Sequence, residues 1–216
     1  MIEEVVSESA GVALEIMVNS KPKRIFDFIF SLIGLILLLP FFIVISILII
    51  INSGFPVFYT QKRVGRSNED FGLLKFRTMK KNADKLGLLT VGGRDPRITN
   101  IGYYLRKYKF DELPQLLNVF IGDMSLVGPR PEVRKYVDMY NDEQKKVLLV
   151  KPGITDLASL EYFSENELLA KSSDPENTYI KEIMPAKLEL NKKYILEQGL
   201  VTDIKIILRT LKRIIS

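Results

Sequence analysis

The sequence contains no cysteine and no histidine. The first absence excludes disulfides, thiol nucleophiles and thiolate metal sites, and fits a chain that faces the cytosol. The second excludes a Ser-His-Asp triad, a histidine–zinc site and an imidazole general base. The phosphate-loop patterns GxxxxGKS/T and GxGxxG are also missing, so Gly92-Gly93 is no nucleotide loop of either kind. No Asp-x-Asp pair, internal repeat or flexible linker occurs. Chemistry is left to carboxylates, Lys, Arg, Tyr and hydroxyls, with a hard cation such as Mg²⁺ on oxygen ligands.

What is present is unevenly spread. The 216 residues suffice for one core plus a membrane element, and carry a net charge of +5. Residues 55–110 hold 13 Lys/Arg against 4 Asp/Glu, whereas residues 132–198 hold 10 against 13. The basic block directly follows an apolar run. It reads as a surface for anionic lipid or a phosphorylated substrate. Nucleic acid, the usual rival partner for a basic patch, is not expected of a protein held at a bilayer.

The apolar run covers residues 25–51, with Asp27 as its one charge. Its length would cross a hydrocarbon core of ~30 Å as a single helix. Pro40 interrupts it, and both flanks are basic: Lys21, Lys23 and Arg24 before, Lys62, Arg63 and Arg66 after. The positive-inside tendency puts both ends on one side. The expectation is a re-entrant helix-break-helix whose first arm, residues 25–39, is ~22 Å long. A kinked single pass is the equal alternative. Lys23, Arg24 and Asp27 fall at the water boundary as anchors. Residues 1–20 lack a signal-peptide pattern and read as an acidic extension with a helix over residues 2–17.

The chain centres on Asp111-Glu112. Leu113, Leu116, Leu117 and Phe120 form one apolar helix face, with Asp111 as N-cap, Pro114 in the first turn and Gly122 at the end. Free N–H groups at that helix start suit phosphate. Arg106, Lys107 and Lys109 precede it. Arg130 follows, held between Pro129 and Pro131 on a stiff backbone suited to a two-pronged phosphate grip. The plainer alternative is a cap alone, worth ~0.5–2 kcal/mol.

Residues 53–90 read as short strands, with Lys75 and Arg77 on one strand face. Residues 132–150 read as a polar helix, and residues 151–153 as a turn. Helices follow, with loops at residues 172–175 and near Pro185. Residues 201–215 form an amphipathic helix with Ile204, Ile207, Leu208, Leu211, Ile214 and Ile215 as its stripe. It either lies in the membrane interface or packs on the core. Asp203 is either a cap or points back to the site. The fold class expected is α+β and mainly helical, in three parts. These are an extension over residues 1–22, a re-entrant membrane helix over residues 23–52, and a cytosolic catalytic domain over residues 53–216 that includes the amphipathic helix.

At KRIFD, QKRVG, LKFRTM, DPRITNIGYYLRKYKFDELPQLLNVFIGDMSLVGPRPE, VKPGIT and TDIKIIL the chain resembles the bacterial sugar transferases of the monotopic phosphoglycosyl transferase superfamily. The resemblance implies an enzyme on the cytoplasmic face of the bacterial inner membrane. It would move a sugar 1-phosphate from a UDP-sugar to polyprenyl (undecaprenyl) phosphate, release UMP, and start a surface glycan. It implies Asp111 as nucleophile through an aspartyl phosphosugar, Glu112 as a required partner, and Mg²⁺ near Asp111, Glu112 and Asp203. It further implies Lys75, Arg77, Arg106 and Arg130 on phosphate or nucleotide, and a membrane hairpin broken at Pro40. Inner-membrane lipid is a further partner, and a homo-oligomer is compatible. Asp156 departs from the family, where Gly is frequent; residues 156–185 are expected to help choose the sugar. The chain also lacks the extra membrane helices of longer relatives and looks like the short form. Two alternatives stand beside this: a non-catalytic scaffold of glycan assembly, and a glycosyltransferase that releases UDP.

Overall fold

The computed structural model describes residues 21–81, 83, 90 and 95–215. The helix expected over residues 2–17 lies outside them. The apolar run forms α1, Lys21–Ser53, with Pro40 inside it. The expected break at Pro40 is absent, and the segment is one helix. Proline removes one main-chain hydrogen bond. The residues after it are held by packing, Phe41 edge-on to Phe110 at 5.0 Å and Phe42 edge-on to Phe76 at 5.4 Å.

The helix lies along the rest of the molecule. Only Asp27, Ser31, Ile45 and Ile49 are buried. Near its start Phe28 stacks on Phe120 at 4.9 Å, and near its end Ile45 and Ile49 join a cluster with Phe76 and Leu105. Its opposite face is exposed and apolar throughout, from Ile25 through Ile36 and Leu37 to Ile51.

Strands β1, Phe58–Val64, and β2, Asp70–Phe76, pair antiparallel as a hairpin. The tight link between them places Ser67 and Asn68 at positive φ. Strand β2 ends at Phe76, so Lys75 and Arg77 do not share a strand face and go separate ways. Next comes α2, Asn100–Lys107, whose first turn is closed by Thr99 Oγ1 accepting from the Gly102 N–H at 3.0 Å. Lys109 is left-handed (φ 58°) and turns the chain into a single 3-10 turn, Phe110–Glu112. Helix α3, Gln115–Ile121, then starts with Pro114 as its N-cap. Asp111 therefore sits in the turn ahead of the helix, not at the cap position expected for it. Gly122 ends α3 at φ 105°, a conformation that favours glycine. Asn118 ties α3 to β2: its Oδ1 accepts from Leu74 N at 2.9 Å and its Nδ2 donates to Gly72 O at 2.7 Å.

Beyond α3 the chain forms β3, Ser125–Val127; α4, Arg134–Val137; α5, Asp142–Lys145; and β4, Gly153–Thr155. Residues 132–150 are thus not one polar helix. Val133, Tyr136, Val137, Tyr140, Val147 and Val150 are buried in the main core, which breaks the stretch into short turns facing inward. Strands β3 and β4 pair in parallel. A Cβ on Gly153 would lie 2.1 Å from the Gly128 nitrogen, so the close approach requires glycine there.

The remaining helices are α6, Leu157–Glu161; α7, Glu165–Ala170; α8, Pro175–Thr178; α9, Met184–Glu197; and α10, Leu200–Ile215. A π-helical segment, Tyr179–Ile183, runs directly into α9 and places Pro185 in the first turn of that helix, so the loop expected there does not form. Helix α10 packs inward through Asp203 and Ile206, with Thr210 Oγ1 2.6 Å from Thr155 Oγ1. Val201, Ile204, Leu208 and Leu211 stay exposed. The packing and the exposed apolar stripe belong to different faces of one helix.

Candidate active site

Several elements converge on one cavity of about 660 Å³. Strand β2 brings Lys75, α2 brings Arg106, the left-handed turn brings Lys109, and the 3-10 turn brings Asp111 and Glu112. Arg130 arrives on the rigid Pro129–Pro131 segment. That segment is pinned on both sides. Gly153 N donates to Pro129 O at 3.0 Å, and Arg130 N donates to Asp156 Oδ2 at 3.2 Å.

Glu112 and Arg130 form a two-pronged pair. Nη1 donates to Oε2 at 3.0 Å, and Nη2 donates to Oε1. Lys75 Nζ lies 3.5 Å from the same Oε1. Burial pushes the Glu112 carboxyl up, but Arg130 and Lys75 more than offset it and hold it well below the usual range. Burial lowers the Lys75 ammonium to about 8 despite the nearby Glu112 charge.

Asp111 differs from its neighbour. It is 5% exposed, and its Oδ1 is buried with no hydrogen-bond partner among the described residues. Burial raises its pKa, and the adjacent Glu112 charge raises it further, against the pull of Lys75, Arg106 and Lys109. A desolvated carboxylate near several cations at the wall of a cavity is equipped to attack an electrophile or hold a cation.

Not every expected residue is brought here. Arg106 lines the cavity and donates to Thr90 Oγ1 at 2.9 Å. Arg77 does not line it. Past the end of β2 its Nη2 donates to Ser53 Oγ at 2.8 Å, to Ser53 O at 2.9 Å and to Gly54 O, closing the C-terminal end of α1. Asp203 is also elsewhere. Its Oδ2 takes Lys23 Nζ, and its Oδ1 accepts from Tyr194 Oη at 2.7 Å. Lys23 also donates to Val127 O at 3.0 Å. Arg24 donates to Val119 O at 2.6 Å and Phe120 O at 2.8 Å, closing the end of α3. Asp27 Oδ1 accepts from Leu126 N at 3.0 Å. Lys23, Arg24 and Asp27 thus fasten the start of α1 to the domain.

The sequence reading passed over Asp156 as a site residue. It is fully buried, caps α6 through Ser159 N at 2.7 Å, and holds the Arg130 backbone. Its signal was an aspartate directly before an apolar helical run. The apolar wall of the cavity includes Phe30 and Gly34 of α1 with Leu116 of α3, so the charged cluster and the apolar helix share one space.

Comparison with known proteins agrees with the motifs. A family model described as Bacterial sugar transferase matches residues 18–216. The UDP-N-acetylgalactosamine-undecaprenyl-phosphate N-acetylgalactosaminephosphotransferase of Aeromonas hydrophila is 34% identical over 197 residues, which are 90% of this chain and 44% of that protein. The galactosyl transferase CpsE of Streptococcus agalactiae serotype III is 38% identical over 203 residues, 88% of this chain and 41% of that protein. The UDP-glucose:undecaprenyl-phosphate glucose-1-phosphate transferase of Escherichia coli is 32% identical over 197 residues, 89% of this chain and 40% of that protein. The chain spans less than half the length of each of these three relatives.

Proposed function

The chain belongs to the bacterial sugar transferases, and from that premise we propose that it transfers a sugar 1-phosphate from a UDP-sugar to a polyprenyl phosphate. The observation that carries this reading is the unpaired, buried oxygen of Asp111, a residue that lines the cavity beside the Glu112–Arg130 pair. In the first step an Asp111 carboxylate oxygen bonds to the phosphorus that bears the sugar. The bond from that phosphorus to the bridging oxygen breaks, and UMP leaves. In the second step a phosphate oxygen of the polyprenyl phosphate bonds to the same phosphorus, and the bond to Asp111 breaks. The carboxylate is restored and a polyprenyl-diphosphate sugar departs. A covalent step lets one site serve two phosphate substrates in turn.

Glu112 fixes the fork of Arg130 so that its remaining N–H groups face the diphosphate, and Lys75, Arg106 and Lys109 complete a cationic rim. Phe30, Gly34 and Leu116 offer an apolar flank to the prenyl chain. A Mg²⁺ ion fits the donor set: the hard Asp111 Oδ1 stands unpaired, and Glu112 lies next to it. When bound, it would neutralise charge on the diphosphate. Among the described residues no group of three or more metal-ligating side chains occurs, so water and substrate oxygens would have to complete the ion's coordination. Asp203 takes no part, because Lys23 and Tyr194 already occupy both its oxygens.

The setting is a membrane surface, taken as the cytoplasmic face of the inner membrane. Helix α1 is about 50 Å long at 1.5 Å per residue. Both of its ends touch the same domain, Lys23 on Asp203 and Ser53 on Arg77. A helix fastened at both ends to one domain lies along the bilayer face instead of leaving the domain behind. Its exposed apolar side, with Leu208 and Leu211 of α10, would enter the lipid.

The test incubates the full chain in vesicles with radiolabelled UDP-sugar, Mg²⁺ and undecaprenyl phosphate, and identifies the nucleotide released. UMP is expected. UDP would make the chain an ordinary glycosyltransferase, and silence with every UDP-sugar would make it a scaffold.

A further inference from the structure

We infer that the part of the cavity walled by α6 and α9 is the sugar subsite, with Ser159 Oγ and Asn191 Oδ1 as the groups that hydrogen-bond the hexose. This rests on the reading of the chain as a UDP-sugar phosphotransferase. Three residues that line the cavity each carry a buried side-chain oxygen with no partner among the described residues: Asp111 Oδ1, Ser159 Oγ and Asn191 Oδ1. The other buried atoms of this kind, on Arg77, Gln115, Ser125 and Gln198, do not line it. Asn191 is only 4% exposed. A buried polar atom left unpaired costs free energy, so two of them on residues that wall one cavity call for a ligand that satisfies them.

The chemistry of that ligand follows from the surroundings. The ion pair at this end is satisfied within itself, Lys187 Nζ donating to Glu165 Oε2 at 2.7 Å, and Lys109 and Arg213 lie over the Phe163 ring. What is left to offer is a hydroxyl and an amide, both neutral, with the ring of Tyr162 on the same cavity. Neutral hydrogen bonding beside an aromatic face fits a polyhydroxyl ring, whose polar edge and C–H face are both served.

The position agrees. A single carboxylate, Asp156, accepts the N–H of Arg130 through Oδ2 and the N–H of Ser159 through Oδ1. Ser159 is therefore one carboxylate away from the backbone of the phosphate clamp. In the proposed reaction the group bonded directly to the attacked phosphorus is the sugar, whereas the uridine is one phosphate further off.

The experiment uses the full chain in vesicles with undecaprenyl phosphate, and compares wild type with Asn191→Leu and Ser159→Ala. The donors are UDP-glucose, UDP-galactose and UDP-N-acetylgalactosamine. With any donor the wild type uses, KM should rise about 10-fold in each variant. The ratio of kcat/KM values between donors should shift, and inhibition by UMP should stay unchanged. Asn191→Leu should melt at the wild-type temperature or above, because it removes an unpaired buried amide oxygen. Ser159→Ala keeps the backbone hydrogen bond to Asp156 and so keeps the helix cap. Unchanged KM for every donor overturns the inference. So does a parallel loss of UMP inhibition, which would assign these groups to uracil, or a lowered melting temperature for Asn191→Leu, which would make the amide a structural one. A wild type that turns over none of the donors overturns the functional reading and this subsite with it.

Discussion

Asp111 and Asp203 are both buried carboxylates, at 5% and 1% exposure, and they live in opposite ways. Asp203 has each oxygen engaged, by Lys23 and by Tyr194. Asp111 has a buried oxygen that no described group satisfies, beside a second carboxylate that raises its pKa further. The first is a strut that joins α10 to the start of α1. The second stores unfavourable free energy at the wall of the cavity. Burial alone does not separate the two roles; hydrogen-bond satisfaction does.

The largest expected effect tests that contrast directly. Asp111→Asn should lower turnover by about 10³-fold or more and abolish labelling of the chain by radiolabelled UDP-sugar. It should leave the unfolding midpoint equal or higher, since it removes a buried carboxylate beside Glu112 whose Oδ1 has no hydrogen-bond partner. Asp203→Ala should do the reverse. Stability should fall by about 2–4 kcal/mol, because Lys23 is left without its partner, while turnover per folded molecule is retained. Denaturant unfolding in detergent and turnover normalised to folded chain check both. Labelling retained in Asp111→Asn would move the nucleophile to another residue and end the comparison.

Next in size is the clamp. Arg130→Lys keeps the charge but loses the two-pronged geometry on Glu112, and kcat/KM should fall about 10–100-fold. A pH profile sharpens the contrast further. Lys75 carries its charge below about pH 8 and loses it above, so kcat/KM should decline as pH rises through that value, and Lys75→Arg should remove this limb. The Asp111 pKa is raised, so the acidic limb should begin above the usual carboxylate range. The smallest effect is at Arg77. Arg77→Lys should loosen the end of α1 by about 1 kcal/mol, seen as faster hydrogen exchange at residues 50–54, with little change in turnover.

Much of the site was legible. The run from Arg106 to Arg130 announced its acidic pair, its cations and its stiff prolines, and the structure assembles Lys75, Arg106, Asp111, Glu112 and Arg130 on one cavity. Arg77 was not legible, because the alternation that grouped it with Lys75 holds only while the strand continues, and β2 stops at Phe76. Asp203 was misleading because a carboxylate in a basic tail looks the same whether it meets a metal or a lysine 180 residues away. Residues 132–150 looked polar by composition, but the apolar minority of that stretch faces the core. The continuity of α1 through Pro40 depends on aromatic packing from β2 and the 3-10 turn, which no local pattern contains.

The bond between Lys23 and Asp203 also orders events during synthesis. Their separation of 180 positions means that α1 leaves the ribosome long before this fastening exists. The other fastenings of the helix, from Arg77, the end of α3 and Leu126, are made by earlier residues and can form in that interval. Its final seating is therefore a late step of biogenesis, made when α10 arrives to latch it.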